Sequence, residues 1–360
     1  MHVAIIAITA NGARIGANLH NCIPESRLFV IEKHATGDAH PFATGVQALV
    51  DRLWSDYGGF VFIMATGIVV RTIAPLLQAK DRDPAVVVLD DAGRFAVSLL
   101  SGHIGGANGL AKQCAELTGS IPVITTATDV NDLPSFDMLA KHNNWLIDDL
   151  SRVKVLNALL LEGKEIAVVD RCDAVRHYCA GKGMLSYHED FPEAAESGAS
   201  GQLFVTNRIL PPQYYSDRTL VLRPVNLFLG IGCNRGTSAG EIESVVLENL
   251  ERLSLSIKSV NCIATAQAKE DEAGLLQFAE KSGLSIVFYR SEQLNGVDVP
   301  SPPSAHAFAA IGAAGVAEPA ALLASDGGRL LLKKIKDGNV TLAIAEADPS
   351  HTYSRSSCSF

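Results

Sequence analysis

Short apolar runs, many rich in β-branched residues, alternate with stretches of helical periodicity along most of this chain, and that alternation restricts its fold more than any other feature. Residues 3–8, 27–31, 60–64, 85–89, 95–100 and 123–126 read as strands. Between them Val46, Leu49, Val50, Leu53 and Trp54 fall on one helical face, and 105–117 reads as a helix stopped by Thr118-Gly119. Strands apolar on both faces and interleaved with helices belong to open, largely parallel α/β sheets.

A length of 360 residues corresponds to two or three domains at about 150 residues each. Residues 1–145 are expected to form an N-terminal α/β domain. Residues 146–225 form a middle or linker region of uncertain structure, with a helix over 149–161, a strand over 165–170 and an irregular Gly-, Ser- and acid-rich stretch over 181–201. Pro211-Pro212 and Arg223-Pro224 bracket a boundary, because each proline forces its neighbour out of the helical region. A smaller C-terminal α/β domain then spans 226–360. It opens with a strand at 227–231, and Thr237/Ser238 with Glu241 form a capping-box pattern ahead of a helix over 242–253. Strand, helix and strand recur at 257–263, 271–282 and 284–289; a helix at 317–324 precedes a hairpin, 329–336 and 340–345, turned at Asp337-Gly338.

Only 19% of the residues are charged, below the roughly 25% usual for globular domains, which fits buried strands. The net charge of -9 gives no global attraction to nucleic acid or to an anionic membrane, so neither is expected as a partner. An anionic ligand must find local donors. The cysteines at 22, 114, 172, 179, 233, 262 and 358 are odd in number and form no CxxC pair; they read as reduced cytoplasmic thiols, not as a disulfide framework or zinc ribbon. The first residues lack the basic segment of a signal peptide, and the apolar stretches 60–70 and 305–324 are too short or too interrupted to span a bilayer. Neither HExxH nor GxSxG occurs, so zinc-protease and serine-hydrolase readings have no support.

The densest chemical cluster is Ser101-Gly102-His103-Ile104-Gly105-Gly106-Ala107-Asn108, between a strand and a helix. Its glycines permit close backbone approach, the helix start offers N–H groups to an anion, and His103 can move protons near neutral pH. A capped strand-to-helix turn is the plainer alternative. Thr125-Thr126-Ala127-Thr128-Asp129 leaves a strand end, where it orients a ligand or caps a helix over 133–140. Thr66-Gly67 opens a helix that carries Arg71, and Lys80 lies in the mixed-charge loop Lys80-Asp81-Arg82-Asp83. In the last domain Gly230-Ile231-Gly232-Cys233-Asn234-Arg235-Gly236 lacks the third glycine of a dinucleotide fingerprint and the Gly-Lys-Ser/Thr of a P-loop. It reads as an anion-recognising loop with Arg235 as donor and Cys233 as a small buried residue.

Taken in order, Met64-Ala-Thr-Gly-Ile-Val-Val-Arg71, Lys80-Asp-Arg-Asp-Pro-Ala85, Ser98-Leu-Leu-Ser-Gly-His-Ile-Gly-Gly-Ala-Asn108 and Thr125-Thr-Ala-Thr-Asp129 resemble the cobalt-precorrin-5A hydrolase family of anaerobic cobalamin biosynthesis. Gly230-Ile-Gly-Cys-Asn-Arg-Gly236, Glu241-Ile242, Gly315-Val-Ala-Glu-Pro-Ala-Ala-Leu-Leu323 and Thr341-Leu-Ala-Ile-Ala345 resemble its second conserved domain, which also has a stand-alone relative in the aerobic pathway. Residues 146–225 match only in position and length.

The resemblance implies a ring-contracted, cobalt-bearing tetrapyrrole substrate, whose ring A δ-lactone is opened by water with loss of acetaldehyde to give cobalt-precorrin-5B. No protein cofactor is implied, because cobalt arrives within the substrate. Such chemistry needs a base, oxyanion donors and cations for peripheral carboxylates. On this reading His103 is the base, and Asp129 orients it or acts as the base itself. N–H groups near Gly105 and Gly106 receive the oxyanion, and Arg71, Lys80 and Arg235 bind carboxylates. Thr66, Gly67, Ser101, Gly102, Asn108, Thr125, Thr126, Gly232 and Gly236 complete the expected substrate contacts. A cleft between domains suits a macrocycle; a homo-oligomer stays open. A tetrapyrrole carrier without catalysis and an unrelated nucleotide- or phosphate-binding enzyme are the competing readings.

Overall fold

The computed structural model describes residues 1–79 and 82–347, which form two compact units, Met1–Leu133 and a second beginning at Pro134. The first unit runs β1 (Val3–Ala7), α1 (Ala10–Cys22), β2 (Ser26–Ile31), β3 (His40–Phe42), α2 (Val46–Leu53), β4 (Gly59–Ile63) and α3 (Thr66–Ile73). It continues through β5 (Ala85–Leu89), β6 (Phe95–Leu100), α4 (Ala107–Thr118), β7 (Ile121–Val123) and α5 (Ala127–Val130). The seven strands form one sheet in the order β3-β2-β1-β4-β5-β6-β7. Val3, Ile5 and Ala7 face Ile15 and Leu19 of α1 and Leu110 of α4, whereas Ala4 and Ile6 face Leu49 of α2 and Val69 of α3. Helices therefore cover both faces, which is why these strands are apolar throughout.

The direction of β6 decides where the site falls. β1 to β5 are mutually parallel, but β6 is antiparallel to β5, with Leu100 opposite Val86, and β7 is parallel to β6. The loops leaving β6 and β7 therefore emerge beside the start of β5, at the amino edge of the five parallel strands. Helix α1 did not stand out in the sequence, because its glycines weaken helical propensity. Packing explains them: a Cβ on Gly16 would lie 2.7 Å from Leu28 Cδ1, and Thr9 caps the helix by accepting from Gly12 N–H at 2.9 Å.

The second unit holds two sheets. The first comprises α6 (Phe136–His142), β8 (Leu146–Ile147), α7 (Leu150–Leu161), β9 (Ile166–Asp170), α8 (Ala174–Cys179), β10 (Leu185–Tyr187), α9 (Phe191–Glu196), β11 (Gly201–Val205) and β12 (Thr219–Arg223). Its order is β10-β9-β11-β12-β8, with β8 alone antiparallel. The stretch 181–201, expected to be irregular, thus contains a strand and a helix. β10 is a short edge strand without a buried face to betray it, whereas α9 is capped by Asp190, which accepts from Glu193 N–H at 2.9 Å.

The last sheet, β15-β14-β13-β17-β16, is built from β13 (Leu227–Cys233), α10 (Ala239–Arg252), β14 (Val260–Ala266), α11 (Ala273–Ser282), β15 (Ser285–Tyr289), α12 (Ser291–Asn295), α13 (Ala305–Ile311), α14 (Ala317–Ala324), β16 (Arg329–Asp337) and β17 (Val340–Glu346). Ser238 caps α10 as expected. The hairpin forms, but Gly338 and Asn339 turn it, one residue later than the sequence suggested. β14 also begins later than expected, because 257–259 form a 3-10 turn.

Candidate active site

The segment after β6 folds onto the head of α4. Ser101 reverses the chain with φ +56, and its hydroxyl donates to the Asp83 carbonyl at 2.9 Å. The carbonyls of Ser101, Gly102 and His103 accept from the N–H groups of Ala107, Asn108 and Gly106 at 3.1, 3.0 and 2.9 Å. A Cβ on Gly105 would collide with Ser101, and one on Gly102 would lie 2.7 Å from Asn108 Oδ1. The glycines thus let the loop close on itself. This alters the anion-cradle expectation: Gly106 N–H is committed to the His103 carbonyl within the loop.

The loop after β7 supplies the facing groups. Nε2 of His103, a residue only 7% exposed, lies 2.8 Å from Asp129 Oδ2 and 3.2 Å from Thr128 Oγ1. Asn108 Nδ2 donates to the same Asp129 oxygen at 3.0 Å and to Thr126 Oγ1 at 2.9 Å, while its Oδ1 accepts from Ser98 at 2.7 Å. A carboxylate accepts only, so the contact places an imidazole proton on Nε2. Asp129 keeps 29% of its side chain exposed. The result is a buried imidazole oriented by a partly open carboxylate, which an amide holds in place.

Sequence reasoning singled out His103, Asp129, Ser101, Gly102, Gly105, Gly106, Asn108 and Thr126, and the structure brings them together. Thr125 lies beside them but points to solvent. Ser98 and Thr128 belong to the same network and were passed over as single hydroxyls within longer motifs. Thr66, Gly67 and Arg71 are elsewhere: α3 begins at the carboxyl end of β4, across the sheet from His103, and Arg71 Nη1 donates to the Gly67 carbonyl at 3.1 Å. Lys80 lies outside the described residues.

The remaining expected residues belong to the second unit. A Cβ on Gly232 would stand 2.5 Å from Thr341 Oγ1, so that glycine admits a neighbouring strand. Arg235 is exposed and pairs with Asp271 at 2.9 Å, and Gly236 N–H donates to Glu272 Oε1 at 2.7 Å. Burial pushes the Cys233 thiol up, in keeping with a small packed residue. Among the described residues no group of three or more His, Cys, Asp or Glu side chains is placed to hold a metal ion, and no helix is long and apolar enough to cross a membrane.

Fold and site together define an α/β protein with a buried imidazole–carboxylate pair of the kind that performs acid–base chemistry. Three family matches run almost end to end: Cobalamin synthesis G N-terminal over residues 48–129, Cobalamin biosynthesis central region over 134–224, and Cobalamin synthesis G C-terminus over 227–345. The chain belongs to this cobalamin synthesis G family. A cobalt-precorrin-5A hydrolase from Priestia megaterium is 38% identical over 352 residues, covering 95% of this chain and 94% of that protein. Another from Salmonella typhimurium is 31% identical over 350 residues, covering 96% and 97%. Protein CobE of a Sinorhizobium species is 31% identical over 123 residues, 33% of this chain and 79% of CobE. The resemblance read from the motifs is borne out, and residues 146–224 of the middle region fall within a matching family region of their own.

Proposed function

We propose that this chain is a cobalt-precorrin-5A hydrolase, which opens the ring A δ-lactone of its substrate with water and releases acetaldehyde to give cobalt-precorrin-5B. The observation that carries this reading is the His103–Asp129 contact, within a chain that matches hydrolases along nearly its whole length. His103 takes a proton from water as the oxygen attacks the lactone carbonyl, and Asp129 stabilises the imidazolium that forms. Gly105 N–H faces the tetrahedral oxyanion. Collapse breaks the acyl C–O bond and frees a carboxylate and a hydroxyl. Deprotonation of that hydroxyl by the same pair turns its carbon into the carbonyl of acetaldehyde, and the electrons of the broken C–C bond pass into the macrocycle.

Cobalt enters as part of the substrate. All six cysteines among the described residues are free thiols, which suits work in the reducing cytoplasm. Incubating purified protein with cobalt-precorrin-5A and assaying acetaldehyde tests the reading. A spectral change on binding without acetaldehyde would identify a carrier instead.

A further inference from the structure

The catalytic reading leaves unused a crevice of about 670 Å³ in the second unit. Its floor is the carboxyl edge of the middle sheet, where Val169 is the last residue but one of β9 and Val205 ends β11. From β9 the chain crosses to β10 on one side and then returns past β9 to β11 on the other. Between β9 and β11 the winding therefore changes direction, and open α/β sheets form ligand crevices at such switch points. The far wall comes from the last sheet: Gly327 and Gly328 before β16, and Glu346 and Ala347 at the end of β17.

The lining has two kinds of chemistry. Val169, Phe191, Val205, Pro224 and Ala347 give an apolar interior, and Arg171, Arg208 and Arg329 bring three guanidinium groups against the single carboxylate of Glu346. That carboxylate is already bound, by Arg329 Nη2 at 2.8 Å and by Asn207 Nδ2 at 2.7 Å. Arg208 Nη1 donates to the Leu253 carbonyl at 2.6 Å and retains donors, while the exposed Arg171 has no hydrogen bond or ion pair among the described residues. Apolar walls with surplus planar cations match a flat apolar body edged with carboxylates.

We infer that this crevice binds a polycarboxylate tetrapyrrole, with its face against Phe191 and Val205 and its carboxylates on Arg171 and Arg329. The assignment rests on the proposed substrate class, but it needs neither His103 nor turnover. It gives the middle region a ligand-binding role separate from the imidazole–carboxylate pair.

Cys172 lines the crevice and reports on it, whereas Cys22 is exposed in the other unit. The full-length protein is alkylated with iodoacetamide with and without uroporphyrin III, an octacarboxylate that carries no lactone, and each cysteine is followed by peptide mass spectrometry. Alkylation of Cys172 should slow at least tenfold while that of Cys22 is unchanged. In Arg171→Glu/Arg329→Gln, and in the milder Arg171→Gln should the double variant not fold, porphyrin affinity should drop at least tenfold and threefold respectively. Unchanged Cys172 alkylation, unchanged affinity in the variants, or equal protection by citrate at matched carboxylate concentration would overturn the inference. Because this readout involves no acetaldehyde, its failure is distinct from failure of the hydrolase reading.

Discussion

The 2.8 Å contact between His103 Nε2 and Asp129 Oδ2 joins the loop that leaves β6 to the short helix α5 that follows its parallel neighbour β7. It stands at the amino edge of the main parallel strands, where the reversal of β6 has carried it, away from the carboxyl edge that usually holds ligands in such sheets. The placement of this pair is thus set by the direction of one strand.

His103→Gln keeps a donor for Asp129 but removes the proton acceptor. It should lower kcat for acetaldehyde release by about 10² to 10⁴ and leave substrate affinity within a few fold. Asp129→Asn should lose a similar factor, because an amide can hold the imidazole in the wrong tautomer. Turnover at saturating substrate is the measurement, and a loss below tenfold in His103→Gln would remove that residue from the role of base.

Asn108 is 7% exposed, and its amide is committed to Ser98, Thr126 and Asp129. Asn108→Ala should cost about 2 kcal/mol in urea unfolding, because partners at a buried position lose their bonds. It should also lower kcat more than it raises KM, since Asp129 loses its orientation. Asn108→Asp would set a second carboxylate beside Asp129 Oδ2. The acid limb of the rate profile should then move to higher pH, because like charges oppose ionisation.

Much of this site was legible because two short motifs carried its polar groups and sat at strand ends. What was not legible is equally physical. Nothing in Phe95–Leu100 states that the strand runs antiparallel to its neighbour, so Thr66, Gly67 and Arg71 were grouped with His103 although they lie across the sheet. Glycines had the same ambiguity: Gly105 and Gly232 look alike in sequence, yet one lets a loop fold on itself and the other admits Thr341. The strand–helix alternation revealed the class of fold, while β8 and β10, at two and three residues, were too short to show a period.

Two glycines of the 230–236 segment, Gly230 within β13 and Gly236 after it, separate packing from backbone conformation. A Cβ on Gly230 would run into the Ala317 carbonyl and lie 2.9 Å from Ala321 Cβ, so Gly230→Ala should cost about 3 kcal/mol or more, with a lower thermal midpoint and yield. A Cβ on Gly236 meets nothing within 4 Å, but its φ of +79 strains any other residue. Gly236→Ala should cost only about 1 kcal/mol. Equal destabilisation by the two changes would contradict this assignment.

Asp148 couples the two sheets of the second unit. Its Oδ2 accepts from Arg223 Nη2 at 2.7 Å and its Oδ1 from Lys258 Nζ at 2.7 Å. Burial alone would push its pKa up, but the Lys258 and Arg223 contacts outweigh that and hold it below the ordinary carboxylate value of 3.8. A native pKa below the unfolded one contributes stability that is fully present well above pH 3.8 and lost as pH falls through the native value. Arg223 is 2% exposed, so Asp148→Asn leaves a buried guanidinium without its anion and should cost about 3 kcal/mol at pH 7. As pH falls below 3.8 and on through the lower native value, the native carboxyl also becomes neutral, and the gap between the two proteins should narrow. Urea unfolding at pH 7 and pH 3 measures it. A gap that stayed constant with pH would mean that Asp148 acts through packing and not through its charge.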